Sequence, residues 1–79
     1  MEIQLKSARE MFEELGYEYD TYGKDIIFSK EFEYATVELY FDVESKTITI
    51  QSNKDIAYQF KIKELKAINK QIEELKWNE

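Results

Sequence analysis

The hydrophobic residues change their spacing twice along the chain, and this change constrains the fold more than any other feature. Near the N-terminus, apolar residues recur every three or four positions, at Leu5, Ala8, Phe12 and Leu15. The same spacing returns near the C-terminus, at Leu65, Ile68, Ile72 and Leu75. Between these segments, from Tyr17 onward, apolar and polar residues alternate with a period of two. The order therefore predicts a helix, a set of strands and a second helix.

The first helix has recognisable signals at both ends. The sequence "SARE" matches a capping box, with Ser7 as the N-cap and the Glu10 side chain reaching back to it. Gly16 follows the last apolar position, where helices commonly take a left-handed C-terminal cap. We expect a helix that starts between Glu2 and Ser7 and stops at Gly16.

The middle of the chain predicts an antiparallel meander. "YEYDTY" and "DIIFS" flank Gly23 and Lys24, as in a hairpin, and "YATVELYFD" and "KTITIQS" flank the turn "VESK". Three or four strands result. Residues 53–61 are compatible with a short edge strand or with a loop that packs Tyr58 and Phe60 under the last helix.

Two roles are open to the C-terminal helix: covering the sheet, or forming a coiled coil with a partner. Its stripe spans less than two heptads, whereas a coiled coil needs three or four, so covering the sheet is favoured. An antiparallel sheet with one apolar face needs such a cover. We therefore predict an α+β fold in which residues 1–79 form a single small domain, with the C-terminal helix packed on one face of the sheet. The residues expected to meet that helix are Val37, Leu39, Phe41, Ile48 and Ile50.

Several kinds of chemistry are missing from the composition. The chain has no histidine and no cysteine, which excludes Ser-His-Asp triads, thiol nucleophiles and zinc sites of the usual kind. Two glycines cannot supply a phosphate-binding loop. Carboxylate pairs such as Glu13 with Glu14 are better explained as a solvated surface. We expect no enzymatic activity, no cofactor and no metal.

The charge distribution limits the classes of molecule that this protein is expected to bind. The net charge is −6, and residues 1–60 carry thirteen acids against six bases. Such a surface repels phosphates, so we expect no nucleic-acid binding and consider a basic partner easier to accommodate. The longest apolar runs are three residues, too short for a membrane span or a signal peptide. With no cysteine present, a cytoplasmic location is expected.

Both ends of the chain resemble a known group. With "AREMFEELGYEY" near the start and "KELKAINKQIEELKW" near the end, the chain resembles small uncharacterised proteins encoded by phages and prophages of low-GC Gram-positive bacteria. In that group, glycine often precedes the tryptophan, where this chain has Lys76. The resemblance implies a phage accessory protein in the cytoplasm of the bacterial host, and it implies no mechanism or functional residue.

Three functional hypotheses remain. The first is a non-enzymatic module that binds an unidentified host or phage protein. The second is a structural module that self-associates and is a homodimer, not a monomer. Its contact would be the apolar helix surface that the core does not use, including Trp77. The third is an acidic DNA mimic that inhibits a nucleic-acid-binding protein of the host. For the binding role, alternation predicts an open sheet face carrying Thr36, Glu38, Tyr40, Thr47 and Thr49.

Overall fold

The predicted α+β architecture is confirmed by a computed structural model, which describes residues 6–54 and 58–77. One antiparallel sheet with the strand order β1-β2-β3-β4 lies beside two helices. The elements are α1 (Ala8–Glu14), β1 (Glu18–Tyr22), β2 (Asp25–Glu31), β3 (Thr36–Asp42), β4 (Thr47–Ser52) and α2 (Ile62–Glu74). Within the described part of residues 53–61 there is no strand, and Tyr58 and Phe60 are half-buried. The loop interpretation is therefore correct there, while residues 55–57 lie outside the described residues.

The capping box predicted for α1 is present. The Ser7 side chain accepts a hydrogen bond from the Glu10 backbone N–H at 3.1 Å, and the Glu10 carboxylate accepts one from the Ser7 N–H at 3.0 Å. These two bonds satisfy two of the N–H groups that a helix start leaves without intrahelical partners. The first helical residue is Ala8, directly after the N-cap. Leu5 and the earlier part of the predicted start lie outside the described residues.

Both helices end in a Schellman motif, in which a left-handed residue reverses the chain. At the end of α1, the N–H groups of Gly16 and Tyr17 donate to Glu13 and Phe12 carbonyls, and Gly16 has a φ of +93°. At the end of α2, Lys76 and Trp77 make the equivalent bonds to Glu73 and Ile72. Lys76, with a φ of +61°, occupies the position that Gly16 occupies in α1.

A two-residue turn sets the register of the first hairpin. Tyr22 pairs with Asp25, leaving Gly23 and Lys24 as the loop, and Gly23 has a φ of +64°. A positive φ at the first loop residue alone matches a type II′ turn, whose twist suits antiparallel strands. The register places paired residues of β1 and β2 on the same face of the sheet.

The core lies between the two helices and one face of the sheet. The rings of Phe12 from α1 and Phe28 from β2 stack with centroids 4.0 Å apart, and Phe41 from β3 meets both rings edge-on. Leu39 lies in the same cluster and is fully buried. At about 1.5–3 kcal/mol for each large apolar side chain, this cluster supplies much of the stability available to a domain of this size.

The helix α2 covers the core with a different face from the one predicted. Its buried residues are Glu64, Ala67 and Gln71, whereas Leu65 is 43% exposed. Ile68 and Leu75 of the predicted stripe do pack against the core cluster. The centre of the three buried residues is thus rotated from the centre of the predicted stripe by roughly 90° around the helix axis, at 100° per residue.

The packing of α1 explains this rotation. The helix α2 packs against α1 as well as against the core, and the small Ala67 side chain lets it approach closely. Glu74 accepts a hydrogen bond from the Ala8 N–H at 2.8 Å, which fixes the same side of α2 toward α1. A consequence is that Ile50 of β4, expected under the helix, is 52% exposed. The prediction that Leu65 and Ile50 are core residues is wrong.

In the part of the chain that the structure describes, neither helix has the length and apolar character needed to cross a bilayer.

Candidate protein-binding face

The face of the sheet opposite the helices is here called the open face, and the strand registers define its members. Side chains directly paired across antiparallel strands point to the same side, and alternate residues of each strand share it. Tyr40 pairs with both Ile27 and Thr49, and Ile27 pairs with Asp20, which gives one complete row across all four strands. The open face consists of Glu18, Asp20, Tyr22, Asp25, Ile27, Ser29, Glu31, Thr36, Glu38, Tyr40, Asp42, Thr47, Thr49 and Gln51.

All five residues proposed from the sequence lie on the open face. Thr36, Glu38 and Tyr40 come from β3, and Thr47 and Thr49 come from β4. None of the open-face residues is buried, and both helices contribute their core contacts to the other side of the sheet. The predicted geometry is therefore correct, and its role in binding stays a prediction.

The open face carries acids and no base. Its six carboxylates are Glu18, Asp20, Asp25, Glu31, Glu38 and Asp42. The single lysine within a strand, Lys30, points to the helix side, where its Nζ lies 5.4 Å from the Tyr17 ring centroid and 5.2 Å from that of Phe32. The chain has seventeen acids and eleven bases, so the acids outside this face equal the bases in number. The six carboxylates of the open face thus equal in number the excess of acids over bases in the chain.

A tyrosine and an isoleucine occupy the centre of the open face. Tyr40 pairs with Ile27 across the strands, and its hydroxyl donates to Asp25 Oδ2 at 2.8 Å. The other oxygen of Asp25 accepts from the Val43 N–H at 3.0 Å, so this carboxylate is held from two sides. The hydrogen bond to Asp25 raises the pKa of Tyr40, which stays neutral. The centre therefore presents an oriented ring beside an apolar side chain.

The acids of the open face differ in whether their carboxylates already accept hydrogen bonds within the protein. Asp42 accepts hydrogen bonds from the N–H groups of Glu44 and Ser45, which shapes the β3–β4 turn. Glu18, Glu31 and Glu38 are exposed, and the ion pairs found in the described chain lie elsewhere, on the helical side. No three acids come together as a metal-binding group in residues 6–54 and 58–77. The carboxylates of the open face are therefore dispersed over the sheet.

The β1–β2 half of this face was missed by the sequence interpretation, although a signal for it existed. The hairpin turn at Gly23 and Lys24 pairs Tyr22 with Asp25. Counting outward by twos from this pair reaches Asp20 and Glu18 on one strand and Ile27 on the other. Combining the turn with the alternation would have shown that both strands add acids to the face of Glu38.

A second polar cluster lies on the helix side and is buried. Glu64 is 3% exposed; its Oε1 accepts from the Lys61 N–H at 2.8 Å, and its Oε2 accepts from the hydroxyls of Tyr17 and Tyr58. Burial alone would raise the pKa of Glu64, but these three donors outweigh it and lower the pKa below its ordinary value. Burial raises the pKa of Tyr17, assisted by its bond to Glu64.

The geometry of this cluster indicates a structural role. Each oxygen of Glu64 has a donor, and no buried side-chain polar atom of the described residues lacks a partner. A buried carboxylate whose two oxygens both accept hydrogen bonds from the protein is already used in holding the fold together. The cluster joins the turn between α1 and β1, the connector before α2 and the first turn of α2.

Comparison of the chain with protein-family models, with curated proteins and with solved structures finds no match.

Proposed function

We propose that this protein is a non-enzymatic binding module whose open face docks onto a basic surface of another protein. The observation that carries the proposal is the segregation of charge, since six carboxylates and no base share one sheet face that neither described helix covers. Complementary charge steers encounter and selects the partner, while a central aromatic ring supplies contact area at a low entropic cost. Tyr40 and Ile27 provide that centre, and the acids surround it.

The same charge makes a protein a better partner than nucleic acid. Nucleic-acid platforms combine exposed rings with lysine and arginine, because binding depends on releasing the phosphate counterions. The ring of Tyr40 instead lies among Asp25, Glu38 and Asp42. A phosphate backbone approaching this face would meet charge of its own sign.

A stricter form of the proposal, in which the face imitates DNA, is less well supported. A seven-residue strand such as β3 is about 24 Å long, at about 3.4 Å per residue. B-DNA carries one charge per about 1.7 Å, or about fourteen charges over that length. The open face has six. Its charge density is thus less than half that of a duplex, which favours a general basic patch as the partner surface.

The resemblance of the two ends of the chain to phage and prophage proteins supports a setting for this role. We place the module among phage accessory factors that act on a host or phage protein in the bacterial cytoplasm. A basic target fits that setting, since many proteins that handle nucleic acid have basic surfaces.

The test uses the double variant Glu38→Lys/Tyr40→Ala, which reverses one charge and removes the central ring. Immobilised wild-type protein is expected to retain basic proteins from a bacterial lysate at low salt and to release them near 1 M salt, where charges are screened beyond about 3 Å. The double variant should retain much less of the same proteins. Circular dichroism and urea unfolding check that it is folded.

A matched control has the same composition change away from the open face. In Glu73→Lys/Tyr34→Ala, the charge reversal is on the exposed side of α2 and the lost ring belongs to the β2–β3 loop, where Tyr34 is 77% exposed. This control should retain partners as the wild type does. Equal losses in both variants, or retained proteins that are not basic, would contradict the proposal.

A further inference from the structure

The strand β4 forms one edge of the sheet, and no other strand of the described residues pairs with its outer side. It is an edge strand, and its six residues, Thr47–Ser52, include no charge and no proline. In the described chain, the backbone hydrogen bonds outside the helices and ladders include none from these six residues. An edge with free N–H and C=O groups is a template for pairing with another strand, and proteins usually block it with charges, proline or bulges.

The opposite edge of the sheet shows such protection. The strand β1 carries Glu18 and Asp20, and the guanidinium of Arg9 lies 4.2 Å from the ring centroid of Tyr19 in the same strand. The helix α1 also packs against β1. The two edges thus differ in chemistry, because β1 carries two acids and packs against α1, whereas β4 has no charged residue.

The sequence of β4 is complementary to itself in one antiparallel register. If Thr49 pairs with Thr49 of a second copy, Ile48 faces Ile50 of that copy, and Thr47 faces its Gln51. Apolar pairs then lie on the helix side and polar pairs on the open-face side, so no side chain changes face. Ile50, 52% exposed in the single chain, gains an apolar neighbour.

We infer that β4 is the contact of a two-fold homodimer, in which two four-stranded sheets join into one eight-stranded sheet. The axis passes beside Thr49, perpendicular to the sheet, so the helices of both copies lie on one side and both open faces on the other. The acidic surface is thereby doubled in length. A single six-residue strand edge is a small contact, below the usual size of a stable interface, so the dimer forms and dissociates readily.

The test exploits the position of Thr49 on the axis, where each substitution meets itself. Thr49→Lys and Thr49→Glu each place like charges directly opposite one another, whereas an equal mixture of the two variants places Lys opposite Glu. Thr49 is exposed, so both variants should stay folded. Sedimentation equilibrium over a range of concentrations should show dimer formation in the wild type, roughly fivefold weaker in each variant alone, and restored in the mixture.

The control is Thr21→Lys, the same substitution at an exposed position of the β1 edge, which should dimerise like the wild type. Three results would overturn the inference. The first is a wild type that is monomeric throughout, in which case the edge is free for an extended segment of another protein. The second is a dimer that Thr49→Lys leaves unchanged, which moves the contact to another surface. The third is a mixture no tighter than its components.

Discussion

At the scale of single residues, we expect the Glu64 side chain to be important for the stability of the fold. It is a buried carboxylate on a helix whose neighbours are mostly lysines and apolar residues, and it is stable there because three donors converge on it. Removing one partner of such a group costs more than the bond contributed, because the remaining groups are left buried without partners. Its role is to attach the start of α2 to Tyr17, in the turn between α1 and β1, and to the connector at Tyr58.

Replacing Glu64 with Gln should destabilise the fold by about 2 kcal/mol at neutral pH, because glutamine offers one acceptor oxygen where the carboxylate offers two. The sign of the pH dependence follows from the lowered pKa. The stabilisation by Glu64 is complete above the ordinary value of 4.5 and is lost as the pH falls through the lower folded-state pKa. Urea unfolding should therefore show wild type and variant converging in acid. Glu73→Gln, exposed on the same helix, should stay within about 0.5 kcal/mol of wild type.

At the scale of the elements, the sequence predicts features that depend on neighbouring residues better than features that depend on contacts between distant parts of the chain. The capping box at Ser7 and the left-handed Gly16 depend on neighbouring residues, so the sequence displays them directly. Which side of α2 is buried depends on α1 and on two distant tyrosine hydroxyls, and Leu65 is more hydrophobic than the Glu64 that replaces it in the core. The same reason explains why only the β3 and β4 residues of the open face were predicted. Apolar and polar residues alternate clearly in β3, whereas the contribution of β1 follows only from the hairpin register.

At the end of α2, Lys76 has an unfavourable backbone conformation that a substitution can relieve. Lys76 adopts the left-handed conformation that glycine adopts without a steric penalty, as Gly16 does in the matching motif of α1. Lys76→Gly should therefore raise the free energy of unfolding by about 1 kcal/mol, measured as a higher urea midpoint with an unchanged slope. Lys70→Gly, inside the same helix, should lower it by a similar amount. A destabilised Lys76→Gly protein would mean that the lysine side chain, and not the backbone, holds this turn.

At the scale of the whole molecule, the distribution of charge works against stability. Six carboxylates on one sheet face repel one another, and this repulsion lowers the stability of the fold. Glu18 and Glu38 stand in one row with Ser29 between them, about 10 Å apart at about 4.8 Å per strand spacing. Two such charges repel by about 0.4 kcal/mol in water, and each also faces the remaining four acids of the face. Natural proteins commonly retain such costs where binding requires them.

Neutralising these two acids should therefore stabilise the protein while weakening its binding. The variant Glu18→Gln/Glu38→Gln is expected to gain about 0.5 kcal/mol in low salt, and the gain should shrink toward zero near 1 M salt as the repulsion is screened. The control Glu13→Gln/Glu14→Gln removes the same charge from α1, where these side chains pair with Arg9 and Lys6, and it should be neutral or destabilising. Urea unfolding at several salt concentrations measures both variants. A gain that persists at high salt would have a cause other than repulsion, and a loss would mean that the open-face carboxylates stabilise the sheet, which removes the physical reason for assigning them to a partner.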